Sequence, residues 1–237
     1  MLENQFIHPE LLNTMRGLRP DTMKLRGARE RLVKDVRKML ENEGQEVDEH
    51  VLNAMRNVYR HQFFDSAFDE HFAYENKAFG IGQGQTISQP YIVALQSILI
   101  KAEKRDKILE VGTGSGYQAA VLAQMGLRVY SIERQRKLYE KTRTLLPMMN
   151  FNIRMFYGDG YKGLPQFSPF DKVIITAGAP EIPKELVNQL KDGGILVAPI
   201  GKEEQIMVKL IKRQNEDHEI SYHGSCSFVP MLKDVVR

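Results

Sequence analysis

The stretch Lys107-Ile-Leu-Glu-Val-Gly-Thr-Gly-Ser-Gly-Tyr117 joins a short apolar strand to a glycine loop through an acidic residue. A loop of this kind at the carboxyl end of a parallel strand lets the backbone approach a nucleotide-like ligand where a side chain would collide. The dinucleotide fingerprint G-x-G-x-x-G would need its third glycine at position 117, where this chain has Tyr117. The loop therefore predicts a nucleoside site and argues against a pyrophosphate ligand.

Two further segments read as buried strands that end in an acid. Residues 127–133 end at Glu133, and residues 152–160 carry Asp159 between two glycines. Because the carboxyl ends of parallel strands meet at one edge of a sheet, Glu110, Glu133 and Asp159 are expected to lie together there. Glu133 follows the glycine loop by about twenty residues, the spacing at which an acid accepts both hydroxyls of a ribose.

The alternation of apolar runs and helical patterns predicts an α/β fold. Strands are predicted at about 107–111, 128–133, 152–158, 172–177 and 194–200, and helices at about 116–125, 134–146 and 182–190. The segments 205–213 and 219–231 are predicted to add an antiparallel pair at the C-terminal edge. The expected architecture is a doubly wound, Rossmann-like sheet, mostly parallel, with helices before it.

The first third of the chain predicts helices ahead of the sheet. Residues 23–42 form an amphipathic pattern whose basic side, Arg29 included, is interpreted as a solvated face. Asp48 is the expected N-cap of a second helix, and Pro90 the start of a third. The predicted organisation is a flexible extension over residues 1–22, a helical region over 23–80 packed on the core, and a ligand-binding domain over 81–237.

Composition narrows the class of protein. A hydrophobic fraction of 42% supports a substantial core, and a net charge of +3 is too small to indicate a nucleic-acid partner. Cys226 is the single cysteine, and the six histidines form no ligand motif, so neither a disulfide nor a metal site is expected. No membrane association is expected, since the longest apolar stretch has ten residues, against about 20 for a membrane span. The expectation is a cytoplasmic monomer.

An acidic residue followed by G-x-G-x-G resembles the first motif of S-adenosylmethionine-dependent methyltransferases. That cofactor has no phosphates and carries a cationic sulfonium and an ammonium, so an anionic Glu110 beside the loop is expected to favour it. The segment Phe79-Gly-Ile-Gly-Gln-Gly-Gln-Thr-Ile-Ser-Gln-Pro-Tyr91, interpreted as a small-residue loop, narrows the resemblance further. Taken with residues 109–120, 158–160, 180–183 and 228–230, it closely resembles the protein-L-isoaspartate O-methyltransferases.

The resemblance implies a Rossmann-like methyltransferase sheet and an activity in the repair of damaged proteins. Such an enzyme transfers a methyl group from S-adenosylmethionine to the free α-carboxylate of an isoaspartyl residue, leaves S-adenosylhomocysteine, and lets the ester close to a succinimide. Its partners are isoaspartyl-containing proteins and peptides. The resemblance makes Ser88 the catalytic-loop serine and places the substrate at Ser88, Tyr91 and Val229. The cofactor is expected at Gln85, Thr86, Glu110, Gly112, Thr113, Gly114, Gly116, Glu133, Arg134, Asp159 and Gly160.

Several alternatives stay open at this level. The chain is also compatible with a methyltransferase for a small carboxylate or another acceptor, and with a non-catalytic regulator that binds S-adenosylmethionine. The glycine loop is alternatively a purely structural turn, and Glu133 an exposed carboxylate at a strand end. Ser88 is alternatively a simple N-cap before Pro90.

Overall fold

The computed structural model describes residues 17–65, 72–214 and 217–236. Short 3₁₀ turns lie between some of the longer elements. In chain order the α-helices and β-strands are α1 (Met23–Asn42), α2 (Glu49–Asn57), β1 (Phe79–Gly82), β2 (Gln85–Ile87), α3 (Pro90–Leu99), β3 (Lys107–Val111), α4 (Tyr117–Gln124), β4 (Arg128–Glu133), α5 (Arg136–Met148), β5 (Arg154–Tyr157), β6 (Phe170–Ile175), α6 (Lys184–Asn188), β7 (Leu190–Ile200), β8 (Gln205–Ile211) and β9 (Glu219–Cys226).

The described strands form a seven-stranded sheet in the order β5-β4-β3-β6-β7-β8-β9. The first five pair in parallel, whereas β8 and β9 pair antiparallel at the C-terminal edge. From β3 the chain adds β4 and β5 on one side and then crosses to place β6 on the other. The predicted doubly wound, mostly parallel fold is confirmed, and the reversal of strand order opens a crevice at the carboxyl end of β3.

Both faces of the sheet are buried, as a parallel sheet requires. Successive residues of a strand point to opposite faces, so Ile108 joins the core shared with α1 to α4, and Leu109 joins the core on the other side. Residues of α1 and α2 belong to the same core cluster as residues of β3, β4 and β7. The N-terminal helices are therefore packed directly on the sheet side that carries α3 and α4.

The start of the described chain is anchored to these helices. Asp21 is 3% exposed, and its carboxylate accepts hydrogen bonds from both terminal nitrogens of Arg29, at 2.8 and 3.0 Å. Leu18 is buried as well. Residues 17–22, expected to belong to a flexible extension, are thus held in place, and Arg29, expected on a solvated face, is buried because Asp21 pairs with it. Residues 1–16 lie outside the described residues.

Helix starts agree with the sequence, while some boundaries differ. The Asp48 side chain accepts from the backbone N–H groups of His50 and Val51, as its predicted N-cap role requires. The third N-terminal helix begins at Pro90 as predicted. The expected helix at 182–190 is shorter, because β7 already begins at Leu190.

The segment expected as a small-residue loop is instead a β-hairpin. β1 and β2 pair antiparallel around Gln83 and Gly84, whose φ angles are +53° and +67°. Positive φ at both central residues is the geometry of the tight turns that join hairpin strands. The hairpin ends at Ile87 and delivers Ser88 to the start of α3.

None of the helices in the described ranges has the length and apolar character needed to cross a membrane.

Candidate functional site

A cavity lies at the carboxyl ends of β3, β4 and β6, where the strand order reverses. Its wall comes from residues 85–88, 111–115, 117–118, 132–134, 176–177 and 228–232, together with Val93 and Gly160. Residues distant in sequence thus converge at the edge that the sequence predicts.

The glycine loop after β3 forms one side of the cavity. Gly112 and Gly114 have φ angles of +99° and +53° and lie on the wall. A Cβ on Gly112 would lie 2.6 Å from Oγ1 of Thr176, so the loop and the end of β6 approach too closely for any side chain. The loop therefore presents bare backbone to the cavity.

Gly116 plays a different part from the one expected of it. It is absent from the wall, has a φ of +88°, and stands at the N-cap of α4. A Cβ there would lie 2.5 Å from Cγ2 of Thr142, on α5. Gly116 is needed for the turn into α4 and for the packing of α5, and it does not reach the ligand space.

Glu133 supports the glycine loop from the end of β4. It lines the cavity but is only 4% exposed, so it is not the exposed strand-end carboxylate of the alternative interpretation. Its two oxygens accept backbone N–H groups, Oε2 from Gly114 and Oε1 from Gln135, each at 2.8 Å. Burial raises the pKa of Glu133, while these N–H donors act in the opposite direction. A carboxylate has about four acceptor sites, so Glu133 retains capacity to accept from a ligand hydroxyl.

Glu110 does not line the cavity, and the structure corrects the expectation that its charge faces the cofactor. It is fully buried, because its position in β3 points it toward the face covered by α3 and α4. The Ser131 hydroxyl donates to Oε2, and the Thr113 hydroxyl lies 2.5 Å from that of Ser131. Burial raises the pKa of Glu110 to about 8. At neutral pH the group is therefore mainly a neutral acid beneath the loop.

The hairpin forms another side of the cavity and lies next to the glycine loop, because a Cβ on Gly114 would lie 4.0 Å from the Thr86 carbonyl oxygen. Gln85, Thr86 and Ser88 lie on the wall, and the Ser88 carbonyl accepts a hydrogen bond from Nη2 of Arg60 at 3.0 Å. The N-cap residue of α3 is Gln89, with no capping hydrogen bond from a side chain, so the N-cap interpretation of Ser88 is wrong.

Tyr91 is not part of the wall, in contrast to its expected place at the substrate mouth. It is 8% exposed, and its ring packs in the core on the α1 to α4 side of the sheet. Its backbone N–H donates to Oδ1 of Asn76 at 2.9 Å. As the second residue of α3, it turns inward with the helix instead of toward the ligand space.

The C-terminal segment closes the cavity and is fixed as if it were a further strand. Gly178 N–H donates to the Val229 carbonyl at 2.8 Å, and Met231 N–H donates back to the Gly178 carbonyl at 2.7 Å. The Gln205 amide exchanges two hydrogen bonds with the backbone of Phe228, at 3.0 and 2.8 Å. Val229 therefore stands on the wall in a defined backbone position.

Arg134 ties the end of the chain to this rim. It lies on the wall, and its guanidinium donates to the carbonyls of Asp234 and Lys233 at 2.9 and 3.2 Å. Asp159 lies outside the wall, because its carboxylate accepts from the N–H of Tyr161 and caps a 3₁₀ turn. Its neighbour Gly160 does reach the wall.

The structure thus sorts the residues proposed from sequence. Those on the wall are Gln85, Thr86, Ser88, Gly112, Thr113, Gly114, Glu133, Arg134, Gly160 and Val229. Those outside it are Tyr91, Glu110, Gly116 and Asp159. Sequence reasoning missed Gln118, Thr176 and Met231 on the wall. Thr176 directly follows β6, so the rule that placed Glu133 at the edge of the sheet would have found it too.

Within the described ranges, no group of three or more His, Cys, Asp or Glu side chains is placed to hold a metal ion. The polar groups of the wall are instead hydroxyls, amides, backbone, one carboxylate and the Arg134 guanidinium, which suits an organic ligand.

Comparison with known proteins supplies the chemical context. Residues 30–235 match the family model described as protein-L-isoaspartate(D-aspartate) O-methyltransferase. The chain is 49% identical over 215 residues to a protein-L-isoaspartate O-methyltransferase of Christiangramia forsetii, covering 90% of this chain and 98% of that protein. It is 50% identical over 215 residues to one of Flavobacterium johnsoniae, with the same coverage.

Solved structures agree with these sequence relatives. A structure named protein-L-isoaspartate O-methyltransferase superposes with a TM-score of 0.76 at 27% identity, covering 86% of this chain and 67% of that one. A putative protein-L-isoaspartate O-methyltransferase from Plasmodium falciparum, solved with S-adenosyl-L-homocysteine, superposes with a TM-score of 0.71 at 24% identity. It covers 85% of this chain and 98% of its own, and at that identity it shows the fold alone. The chain belongs to the protein-L-isoaspartate(D-aspartate) O-methyltransferase family.

Proposed function

We infer that this protein transfers a methyl group from S-adenosylmethionine to the free α-carboxylate of L-isoaspartyl residues in damaged proteins and peptides. The methyl ester then closes to a succinimide, whose hydrolysis returns part of the damage to a normal aspartyl linkage. Family membership carries the activity. The observation that carries the assignment of the site is the meeting of the glycine loop and Glu133 with Ser88 and Val229 in one cavity.

The residues present fit the cofactor. Gly112 and Gly114 leave bare backbone against which a nucleoside can lie, and Glu133 offers the ribose hydroxyls a buried carboxylate that retains acceptor capacity. Gln85, Thr86, Thr113, Arg134 and Gly160 complete the surface assigned to the cofactor. When bound, the cofactor supplies an electrophilic methyl group on a cationic sulfonium.

The acceptor side needs no general base. A peptide α-carboxyl group has a pKa of about 3.3–3.7, so it reaches the cavity already ionised. We assign to Ser88 the task of donating one hydrogen bond that orients this carboxylate without heavily solvating it. The wall excludes water and aligns the oxygen with the methyl group, and alignment of this kind supplies much of the acceleration in such transfers.

Substrate recognition is assigned to backbone geometry. The Val229 segment is fixed on both sides, by Gly178 and by the Gln205 amide, so it offers a rigid edge against which an extended peptide can lie. Recognition of the extra main-chain methylene of an isoaspartyl linkage would not depend on neighbouring side chains. Many flanking sequences are therefore expected to be accepted.

The partners, location and domain organisation of the protein are proposals as well. We propose that the protein acts as a monomer. The modest net charge of +3 favours protein substrates over nucleic acid or membrane. Cytoplasmic residence and the division into a helical region over 23–80 and a methyltransferase domain over 81–237 are proposed from the sequence.

Methylation of matched peptides that contain either isoaspartate or normal aspartate tests the function. We expect radiolabel from the methyl donor on the isoaspartyl peptide, none on its aspartyl counterpart, and a base-labile ester. Equal labelling of both would favour a general carboxyl methyltransferase. Binding of the donor without any transfer would favour a regulator.

Replacement of the serine tests the site. Ser88→Ala should lower turnover by about 2–3 kcal/mol of transition-state stabilisation, with cofactor affinity little changed, because one positioned donor is lost on the acceptor side only. Ser225→Ala, on the exposed surface of β9, is the matched control and should keep normal turnover. Full activity of Ser88→Ala would remove this serine from the mechanism.

A further inference from the structure

Arg60 is a charged side chain that the family assignment leaves unexplained. It begins the 3₁₀ turn Arg60–Phe63 and is 0% exposed. Among the ion pairs of the described residues, none includes Arg60. Burial lowers its pKa to about 10, which still leaves it protonated at neutral pH. A cation without a carboxylate partner is costly to bury, so its contacts indicate what it does.

The guanidinium donates hydrogen bonds to three carbonyl groups from two segments, the stretch before β1 and the residue after β2. Nε donates to Ala73 at 2.9 Å, and Nη2 donates to Lys77 at 3.3 Å and to Ser88 at 3.0 Å. Nη1 is buried without a hydrogen-bond partner among the described residues. The planar fork of an arginine can reach carbonyls in diverging directions, which a lysine ammonium on a flexible stem does less well. The turn before β1 and the residue after β2 are thereby joined.

The same guanidinium lies against the cofactor side of the cavity. Its central carbon is 4.6 Å from the centroid of the Tyr117 ring, and the other nearby ring, Phe64, is at 5.7 Å. Tyr117 is the first residue of α4, directly after the glycine loop, and it lines the cavity. A cation over an aromatic face in a dry interior is a favourable contact. One rigid group thus touches Ser88 on the acceptor side and Tyr117 on the cofactor side.

We propose that Arg60 is a positioning residue, which fixes Ser88 relative to Tyr117 and so sets the acceptor carboxylate in line with the methyl group. The inference rests on the role proposed above for Ser88. Methyl transfer requires the nucleophile, methyl and leaving group to be aligned, and a small displacement of one wall slows the reaction without weakening the binding of the donor. Arg60 acts through the Ser88 carbonyl and does not touch the substrate.

Arg60→Lys is the first test, because it keeps the charge and loses the fork. We expect kcat to fall about 10- to 100-fold, while the calorimetric Kd for S-adenosylhomocysteine stays within about threefold of wild type. Arg29→Lys is the matched control, since Arg29 is also buried in the N-terminal region but contacts Asp21 and Tyr74 instead of the cavity. At a temperature where both variants are folded, Arg29→Lys should keep its kcat.

A double-variant cycle separates positioning from a general loss of stability. Arg60→Lys should have little further effect on kcat in a Ser88→Ala background, because the residue acts through Ser88. If Arg60→Lys fails to fold, Tyr117→Leu removes the aromatic face of the same bridge and should show the same lack of additivity with Ser88→Ala. Normal kcat in folded Arg60→Lys, or full additivity in the cycle, would overturn the proposal.

Hydrogen exchange provides a readout that does not depend on activity. Amides in residues 85–89 should exchange faster in Arg60→Lys than in wild type, and no faster in Arg29→Lys, because only Arg60 holds the Ser88 carbonyl. Unchanged exchange in this segment would also overturn the proposal. If wild type fails to methylate isoaspartyl peptides while exchange rises as expected, the proposed function fails and the positioning of Ser88 stands.

Discussion

Replacement of Glu110 by glutamine should make the protein more stable, and increasingly so as the pH rises. The side chain is fully buried, and burial raises its pKa from 4.5 to about 8. Between these two values the folded protein keeps a proton that the unfolded chain has lost. The folded state therefore binds more protons, and wild-type stability falls as the pH rises through this window.

The size of the effect follows from the same pKa values. The window spans roughly 3.5 pH units (8 − 4.5), each worth about 1.4 kcal/mol, so the penalty reaches at most on the order of 4 to 5 kcal/mol above pH 8. Repulsion from Glu133 contributes to the raised pKa, so part of this energy belongs to the pair. Glutamine has no proton to lose, and it retains an oxygen to accept from Ser131.

Urea denaturation followed by circular dichroism from pH 5 to pH 9, at constant ionic strength, measures the effect. The free energy of unfolding of Glu110→Gln minus that of wild type should grow with pH and level off above about pH 8. Glu203→Gln is the control, because Glu203 is exposed, and its difference from wild type should stay near zero. A difference for Glu110→Gln that stays constant over this range would refute a proton held in the fold.

Two further substitutions test other carboxylates. Glu133→Ala should weaken S-adenosylmethionine binding by about 1.5–3 kcal/mol in titration calorimetry, because a charged acceptor leaves the wall; an unchanged Kd in the folded variant would remove Glu133 from the site. Asp21→Ala should lower the free energy of unfolding by about 3–5 kcal/mol, because Arg29 is left buried and unpaired. Glu219→Ala, which breaks the exposed pair with Arg213, should cost less than about 1 kcal/mol, and a similar loss in both would contradict the argument.

The features predictable from sequence are those that short-range pattern and strand polarity determine. The apolar run before Gly112 and its counterpart before Glu133 predicted buried parallel strands, and parallel strands bring their carboxyl ends to one edge. The position of the cavity and the position of Glu133 were predicted from this shared edge. The hairpin was missed because its strands have only four and three residues and because glycine makes up half of β1, a composition that is also typical of a loop.

The surroundings of individual charged side chains were harder to predict from the sequence. Glu110 and Glu133 both end or nearly end a strand after an apolar run, yet one is sealed beneath α3 and α4 and the other reaches the cavity. The register pairs Glu110 with Ser131, so Glu110 and Glu133 point to the same face of the sheet, and Glu133 reaches the cavity because it lies two residues nearer the carboxyl edge. The burial of Arg29 and Arg60 was equally unpredictable from sequence, because charged residues are seldom buried and only the tertiary structure shows the groups that contact them.

Because β3 to β7 run in parallel, the sheet has one edge that carries the cavity and an opposite edge that does not. Ligand-facing residues come from the segments that follow the strands, whereas the opposite ends are joined by a clamp in which Asp171 accepts from the backbone N–H of Lys107 and pairs with Lys191. Substitutions near Asp171 can change the stability of the protein without changing its catalytic activity. Exchange of the segments around Ser88 or Val229 can change the acceptor specificity while the sheet stays intact. Evolution or protein engineering could therefore change the acceptor specificity and the stability of this fold separately.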